Sequence, residues 1–233
     1  MKKGLLLLVI SIIITACASP ATETATQPPV TADVIPASTS TPEVVPVNPA
    51  VTKSIALSTV PAPKDDFFTA NGITLPAPTC SVLTVAQAEG PYYTANTPER
   101  NNLIEEGMPG TRLIVVGYVL DANCQPLANA WLDFWQADAN GVYDNAGYIL
   151  RGHQFTDDQG RYYLQTVLPG EYPGRTEHIH VKVQPNGGSI LTSQLYFPDS
   201  SGNASDEIFD PSLIVQIEER PDTLVAYFNF VLQ

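Results

Sequence analysis

Two of the chain's three histidines stand together as His178-Ile179-His180. In an extended strand, residues i and i+2 share a face, so both imidazoles point the same way. That is what one metal ion needs from two neighbouring ligands; the other reading is a pair of solvated histidines on a sheet face. Six residues upstream lies Tyr172, in the constrained stretch Leu168-Pro169-Gly170-Glu171-Tyr172-Pro173. Tyr143 closes Asp138-Ala139-Asn140-Gly141-Val142-Tyr143, at a turn just beyond a strand, and Arg175 precedes His178 by three. The remaining histidine, His153, would complete a three-histidine set, the ligand count of an open zinc site in a hydrolase.

These side chains need rigid elements to carry them. From residue 111 onward, short segments rich in β-branched and aromatic residues alternate with turn signals, the pattern of an all-β, antiparallel β-sandwich. Strands are expected at 111–121, 130–137, 160–167, 177–184, 190–197, 213–218 and 224–232. Within 130–137, Leu132 and Phe134 fall on one face, with Trp131, Asp133 and Trp135 on the other. Residues 81–89 offer one or two helical turns, and Asp157-Asp158 reads as a hairpin turn.

The chain divides by composition. All twenty aromatic residues lie at or after Phe67, so the sandwich is expected over 67–233. Met1-Lys2-Lys3 is followed by an apolar run over residues 4–15, too short for a comfortable membrane span and suited to a signal-peptide core. Ile14-Thr15-Ala16-Cys17 resembles a bacterial lipobox. Residues 1–16 thus read as a lipoprotein signal and Cys17 as a lipidated first mature residue, anchored at the cell envelope outside the cytoplasm. Residues 17–66 then form a linker; its 18–64 stretch holds nine prolines and no aromatic residue. At polyproline spacing it could hold the domain up to roughly 140 Å from a membrane. With Cys17 acylated, Cys80 and Cys124 remain, an even pair for a disulfide in an oxidising compartment. A net charge of −13 supplies no basic stripe and argues against nucleic-acid binding.

Taken in order, the motifs resemble the intradiol ring-cleavage dioxygenases, the catechol and protocatechuate dioxygenases. Glu89-Gly90-Pro91-Tyr92-Tyr93 opens the match. Gly117, Leu132-Asp133-Phe134 and Gly141-Val142-Tyr143 follow in register. Arg151-Gly152, Thr156-Asp157-Asp158-Gln159-Gly160, the Leu168–Pro173 stretch and His178-Ile179-His180-Val181 continue it, and Gln194 closes it. The resemblance implies a β-sandwich holding Fe(III) through Tyr143, Tyr172, His178 and His180. It implies a catechol-type diol and O2 as substrates, with cleavage between the two hydroxyl-bearing carbons. Tyr172 would leave the metal and accept a substrate proton, Arg175 would stabilise negative charge on the ring, and Gln194 would face the O2 side. Such types suit the chemistry, because a hard trivalent ion favours anionic phenolate oxygens. Two departures stand out. Arg175-Thr176-Glu177 replaces the family's Arg-Pro-Ala, and the segment from Tyr172 to His178 is shorter than in the familiar enzymes. Strand alternation turns Glu177 away from the two histidines.

A reading from another class is a non-catalytic, extracellular β-sandwich module that binds a ligand. The stretch 117–127 alone is compatible with it, but such a module has no use for the tyrosine and histidine set.

Overall fold

The alternation of apolar and polar residues along the strand segments gives each strand one face to bury. Two sheets put those faces together. The computed structural model describes residues 66–80 and 82–233; the signal over 1–16, Cys17 and nearly all of the 17–66 linker lie outside the described residues. Among the described residues there are nine strands: β1 Arg112–Asp121, β2 Trp131–Gln136, β3 Arg151–Phe155, β4 Arg161–Val167, β5 His178–Gln184, β6 Leu191–Tyr196, β7 Gln216–Arg220, β8 Thr223–Tyr227 and β9 Phe230–Leu232. A single turn of helix, α1 Phe67–Ala70, precedes them.

One sheet runs β3-β2-β5-β6, all antiparallel. The other runs β4-β1-β8-β7, with β9 also on β1. The pairs β1–β8 and β1–β9 are parallel, so the sandwich is mostly rather than wholly antiparallel. Leu113, Val115, Val119, Leu164 and Phe230 from one sheet are buried with Leu132, Phe134, Ile179, Val181 and Leu195 from the other. Each such side chain contributes roughly 1.5–3 kcal/mol of burial free energy.

Four details depart from the sequence expectations. The 224–232 segment is two strands, because Phe228 and Asn229 leave the ladder to pass Gly117. A Cβ on Gly117 would sit 1.7 Å from the Phe228 carbonyl oxygen, and the Asn229 side chain accepts from Tyr118 N at 3.0 Å. Residues 82–89 are not helical; the backbone runs extended, with Thr84 N bonded to Val231 O at 2.9 Å and Gln87 N to Thr192 O at 2.8 Å. Those bonds consume the donors a helix would have used. The expected 213–218 strand starts later, at Gln216, because Pro211–Leu213 forms a 3-10 turn capped by Asp210. Strand β3 had no sequence signal, since Arg-Gly-His-Gln-Phe lacks the β-branched residues that mark a strand.

Cys80 and Cys124 form a disulfide, with Cα atoms 5.6 Å apart. Asp121 Oδ1 accepts from the N–H groups of Asn123 and Gln125, both at 2.8 Å, fixing the turn that presents Cys124. Asp66 pairs with Arg161 at 3.1 Å, and Phe67 stacks on Tyr163 at 3.6 Å between ring centroids. The chain is therefore packed from its first described residue.

Candidate active site

The inner face of the β3-β2-β5-β6 sheet makes core; the outer face carries chemistry. His178 and His180 lie opposite Tyr196 and Gln194 on β6, and His180 lies opposite Trp135 on β2. As alternation requires, all five side chains share the outer face, and all five are buried. Tyr92, Tyr93, Tyr143 and Tyr172 pack over this face beside Trp135, and Ile208 and Phe209 pack against Tyr196.

Two turns bring the tyrosines over the histidines. Asp138 Oδ1 accepts from Asn140 N at 2.8 Å and Val142 N at 2.9 Å, an Asx-type turn that delivers Tyr143. Gly141 has φ +77°, and a Cβ there would lie 2.1 Å from the Glu171 carbonyl oxygen. A Cβ on Gly170 would lie 2.6 Å from the Ala139 carbonyl oxygen. The two tyrosine loops thus meet backbone to backbone, at glycines. Tyr172 and Arg175 bracket Pro173-Gly174 in a tight turn, with Arg175 N bonded to Tyr172 O at 2.9 Å and Gly174 at φ +82°. Proline followed by a positive-φ glycine is the type II pattern. This is how the shortened segment between Tyr172 and His178 still places both side chains: Arg175 Nη1 lies 3.5 Å from the Tyr172 hydroxyl.

The four expected ligands converge. His178 Nε2 is 3.1 Å from His180 Nε2 and 3.3 Å from the Tyr172 hydroxyl. The Tyr143 ring centroid is 5.7 Å from that of Tyr172 and 6.4 Å from that of His180. His178 Nδ1 lies 2.7 Å from the Thr176 carbonyl. A carbonyl only accepts, so Nδ1 carries the proton and Nε2 presents its lone pair to the centre. Burial, with Arg175 nearby, depresses His178 to about 4. His180 is pushed well below its usual value by burial and by His178. Both rings are neutral at pH 7, the form in which imidazole binds a metal.

The phenols behave oppositely. Burial, with Tyr172 alongside, raises Tyr143 far above the ordinary phenol range, and its hydroxyl, almost fully shielded, has no hydrogen-bond partner among the described residues. Burial raises Tyr172 as well, with Arg175 opposing. Two neutral imidazoles and two buried phenols fit a cation of high charge, which would supply the attraction needed to ionise the phenols. Among the described residues, no group of three or more His, Cys, Asp or Glu is placed to hold a metal. The three-histidine zinc set is not assembled either: His153 Nδ1 is 2.8 Å from the Thr97 carbonyl, on β3, away from the pair.

Around this centre stand residues that the sequence placed only loosely. Trp135 stacks on His180, centroids 4.8 Å apart and planes 7° apart. Tyr92 stacks on Tyr143 at 4.4 Å. Arg151 is buried and donates to Asp144 O at 2.8 Å and Tyr92 O at 2.6 Å, tying the Tyr143 loop to the Tyr92 segment. Gln194 Nε2 donates to Ala88 O at 2.9 Å, and its Oε1 accepts from Arg175 and, at 3.0 Å, from Tyr196. Tyr93 packs at a tilt on Trp135 and lies under Lys182 Nζ, 3.6 Å from its ring centroid. Tyr148 points to Ala95 O at 3.1 Å. Glu177 turns to Ser200, away from the histidines as alternation required. A cavity of about 260 Å³ opens beside the two tyrosines, lined by Tyr92, Gly141, Val142, Tyr143, Asn145, Tyr172 and Pro173. Arg151 and Tyr92 sat within motifs already noted, but only their contacts give them work. Tyr196 had no sequence signal beyond strand membership.

The dioxygenase domain of a dioxygenase–carbohydrate-binding fusion from Streptomyces sp. SirexAA-E is 46% identical with TM-score 0.64, covering 65% of this chain and 99% of that one. The 3-chlorocatechol 1,2-dioxygenase of Rhodococcus opacus 1CP is 29% identical with TM-score 0.60, covering 64% of this chain and 71% of that one. The protocatechuate 3,4-dioxygenase beta chain of Burkholderia cepacia is 35% identical over 147 residues, 55% of this chain and 61% of that one. The hydroxyquinol 1,2-dioxygenase of Rhizobium sp. is 29% identical, and the match spans half of its length. The chain thus spans about half to three fifths of these two curated relatives. A family model described as Dioxygenase matches residues 88–233, a span that holds all four converging side chains together with Arg175 and Gln194, and the chain belongs to the intradiol dioxygenase family.

Proposed function

We propose that this protein is a non-haem Fe(III) intradiol dioxygenase that opens a catechol-type ring between its two hydroxyl-bearing carbons. One observation carries the reading: two phenols and two neutral imidazoles, drawn from three separate segments, converge in one buried spot with a cavity beside it. Tyr143, Tyr172, His178 and His180 would hold the iron. Bound ferric iron would supply a centre that gathers the diol's two oxygens, lowers their pKa and draws electron density from the ring toward attack by O2.

The chain's own groups do the rest. Both tyrosines border the cavity, but Tyr172 is the less buried, so it is the one that, ionised to phenolate, could swing aside and accept a substrate proton at its oxygen. Tyr143, shielded and stacked on Tyr92, stays in place. Arg175 directs its Nη edge at the same spot, where it would stabilise negative charge growing on the ring. Gln194, locked between Ala88 O and Arg175, keeps a fixed amide wall on that side. Trp135 and Tyr92 cover the histidine and tyrosine rings and exclude water.

Protein grown with iron is expected to be red-brown from phenolate-to-iron charge transfer, with about one iron per chain. Adding catechol should shift the band, and Tyr172→Phe should alter it beforehand. Colourless, iron-free protein inert to catechols would remove the assignment. We further propose that the domain works outside the cytoplasm, tethered through lipidated Cys17, and meets a diol at the cell surface. The lipobox-like sequence and the Cys80–Cys124 disulfide support this, since disulfides persist in oxidising compartments. Radiolabelled palmitate that enters the wild type and is absent from Cys17→Ser tests it; equal labelling would refute it.

A further inference from the structure

Arg175 reaches the site on a long, flexible side chain. The Pro173-Gly174 turn fixes its backbone but not the direction of its guanidinium. What fixes the direction comes from elsewhere. Asp206 lies in the segment after β6, 31 residues further along, and its side chain is wholly shielded from solvent. Its Oδ2 accepts from Arg175 Nε at 2.9 Å and from Thr176 N at 3.1 Å. Its Oδ1 accepts from Ile208 N at 3.1 Å. Burial would push this carboxyl up, yet the bonds from Arg175 and the two backbone N–H groups outweigh it and hold Asp206 below the usual carboxylate range. It is a charged, fully paired group in the interior.

A guanidinium is a rigid fork of five N–H donors. With the Nε side taken by Asp206, the Nη ends must face the other way. There they meet Gln194 Oε1, the Tyr196 hydroxyl at 3.4 Å and the Tyr172 hydroxyl at 3.5 Å. The carboxylate also offsets the arginine's charge from behind, so the site feels a directed N–H edge rather than a free cation.

We propose that Asp206 is a positioning residue: it holds Arg175 so that the Nη edge, and no other, faces the reacting diol. This inference rests on the dioxygenase reading above, and the test separates the two. Asp206→Asn keeps the shape but removes the charge and, in either amide orientation, sets its NH2 against an N–H donor, Ile208 N or the Arg175–Thr176 pair, so the ion pair that anchors the guanidinium is lost. In iron-loaded protein, kcat on catechol is expected to fall about 10- to 100-fold, the usual cost of losing an orienting partner. KM and iron content should stay within about threefold of wild type. In an Arg175→Gln background the same change should alter kcat less than about threefold, because the arginine through which Asp206 acts is gone. Equal losses in both backgrounds would show an independent structural role and overturn the proposal.

A second arm needs no turnover. In iron-free, 15N-labelled protein, the Arg175 Nε–H resonance, assigned by its absence from Arg175→Gln, should exchange slowly with solvent in the wild type and fast in Asp206→Asn. Fast exchange in the wild type overturns the proposal even if Asp206→Asn fails to fold. An enzyme inert toward every catechol would sink the dioxygenase reading alone, leaving this exchange measurement to decide whether Asp206 holds Arg175.

Discussion

Replacing Gly141 by alanine tests the claim that two glycine loops set the spacing of the tyrosines. Two costs arise. The first is conformational: Gly141 sits at φ +77°, and a non-glycine residue held there costs about 1–3 kcal/mol. The second is steric: the new Cβ would lie 2.1 Å from the Glu171 carbonyl oxygen, while real Cβ atoms essentially never approach within 3.0 Å, so the loops must part by about 1 Å. Forcing a methyl into a packed contact costs about 2 kcal/mol. Gly187→Ala is the control, with φ +73° and, among the described residues, nothing within 4 Å of a Cβ; it carries the first cost without the second. Gly141→Ala should therefore melt roughly 4–8 °C below Gly187→Ala, at about 2–4 °C per kcal/mol for a domain of this size. Because Tyr172 follows Glu171 directly, a 1 Å separation should also displace one phenol from the other and lower kcat about 100-fold. Scanning calorimetry, iron per chain and the visible band of the two variants decide the matter. If Gly141→Ala melts with the control and keeps wild-type colour and turnover, backbone contact between the loops does not set the phenol pair, and that part of the reasoning fails.

Other outcomes follow from the same contacts. Reducing the Cys80–Cys124 bridge, which spans 44 residues, should cost about 4 kcal/mol by chain entropy; a melting midpoint unchanged by reductant would refute this. Arg151→Met should weaken iron retention measured by dialysis against chelator, since the Tyr92 and Asp144 carbonyls lose a charged donor worth about 1.5–3 kcal/mol each; unchanged retention would mean that the tie is dispensable. In iron-free protein, His178 is held neutral to about 4, below its unfolded value near 6.5. The unfolded state then binds the proton first, so stability is full above about pH 6.5 and falls as pH drops toward 4; His178→Gln should flatten that slope in denaturant titrations. Gly117→Val should fail to fold or lose more than about 4 kcal/mol, because its side chain would collide with the Phe228 carbonyl.

The sandwich class, most strands and the chemical cast were legible along the chain, because period-2 alternation and turn residues are local signals and His178-Ile179-His180 needs only strand geometry to share a face. The Cys80–Cys124 pairing was legible by parity. Other features were not. Strand β3 is recruited by its pairing with β2 despite polar residues, and the break between β8 and β9 comes from a glycine more than a hundred residues away. Residues 82–89 spend their donors on sheet edges rather than on a helix. The shortened Tyr172–His178 segment could be judged only once the Pro173-Gly174 turn was seen to set Tyr172 beside Arg175. Sequence alone thus determined which groups exist and which share a strand face. Tertiary structure decided which of them meet, which lose water and therefore their ordinary pKa, and that Asp206 stands behind Arg175, because those outcomes depend on contacts between segments that no local pattern encodes.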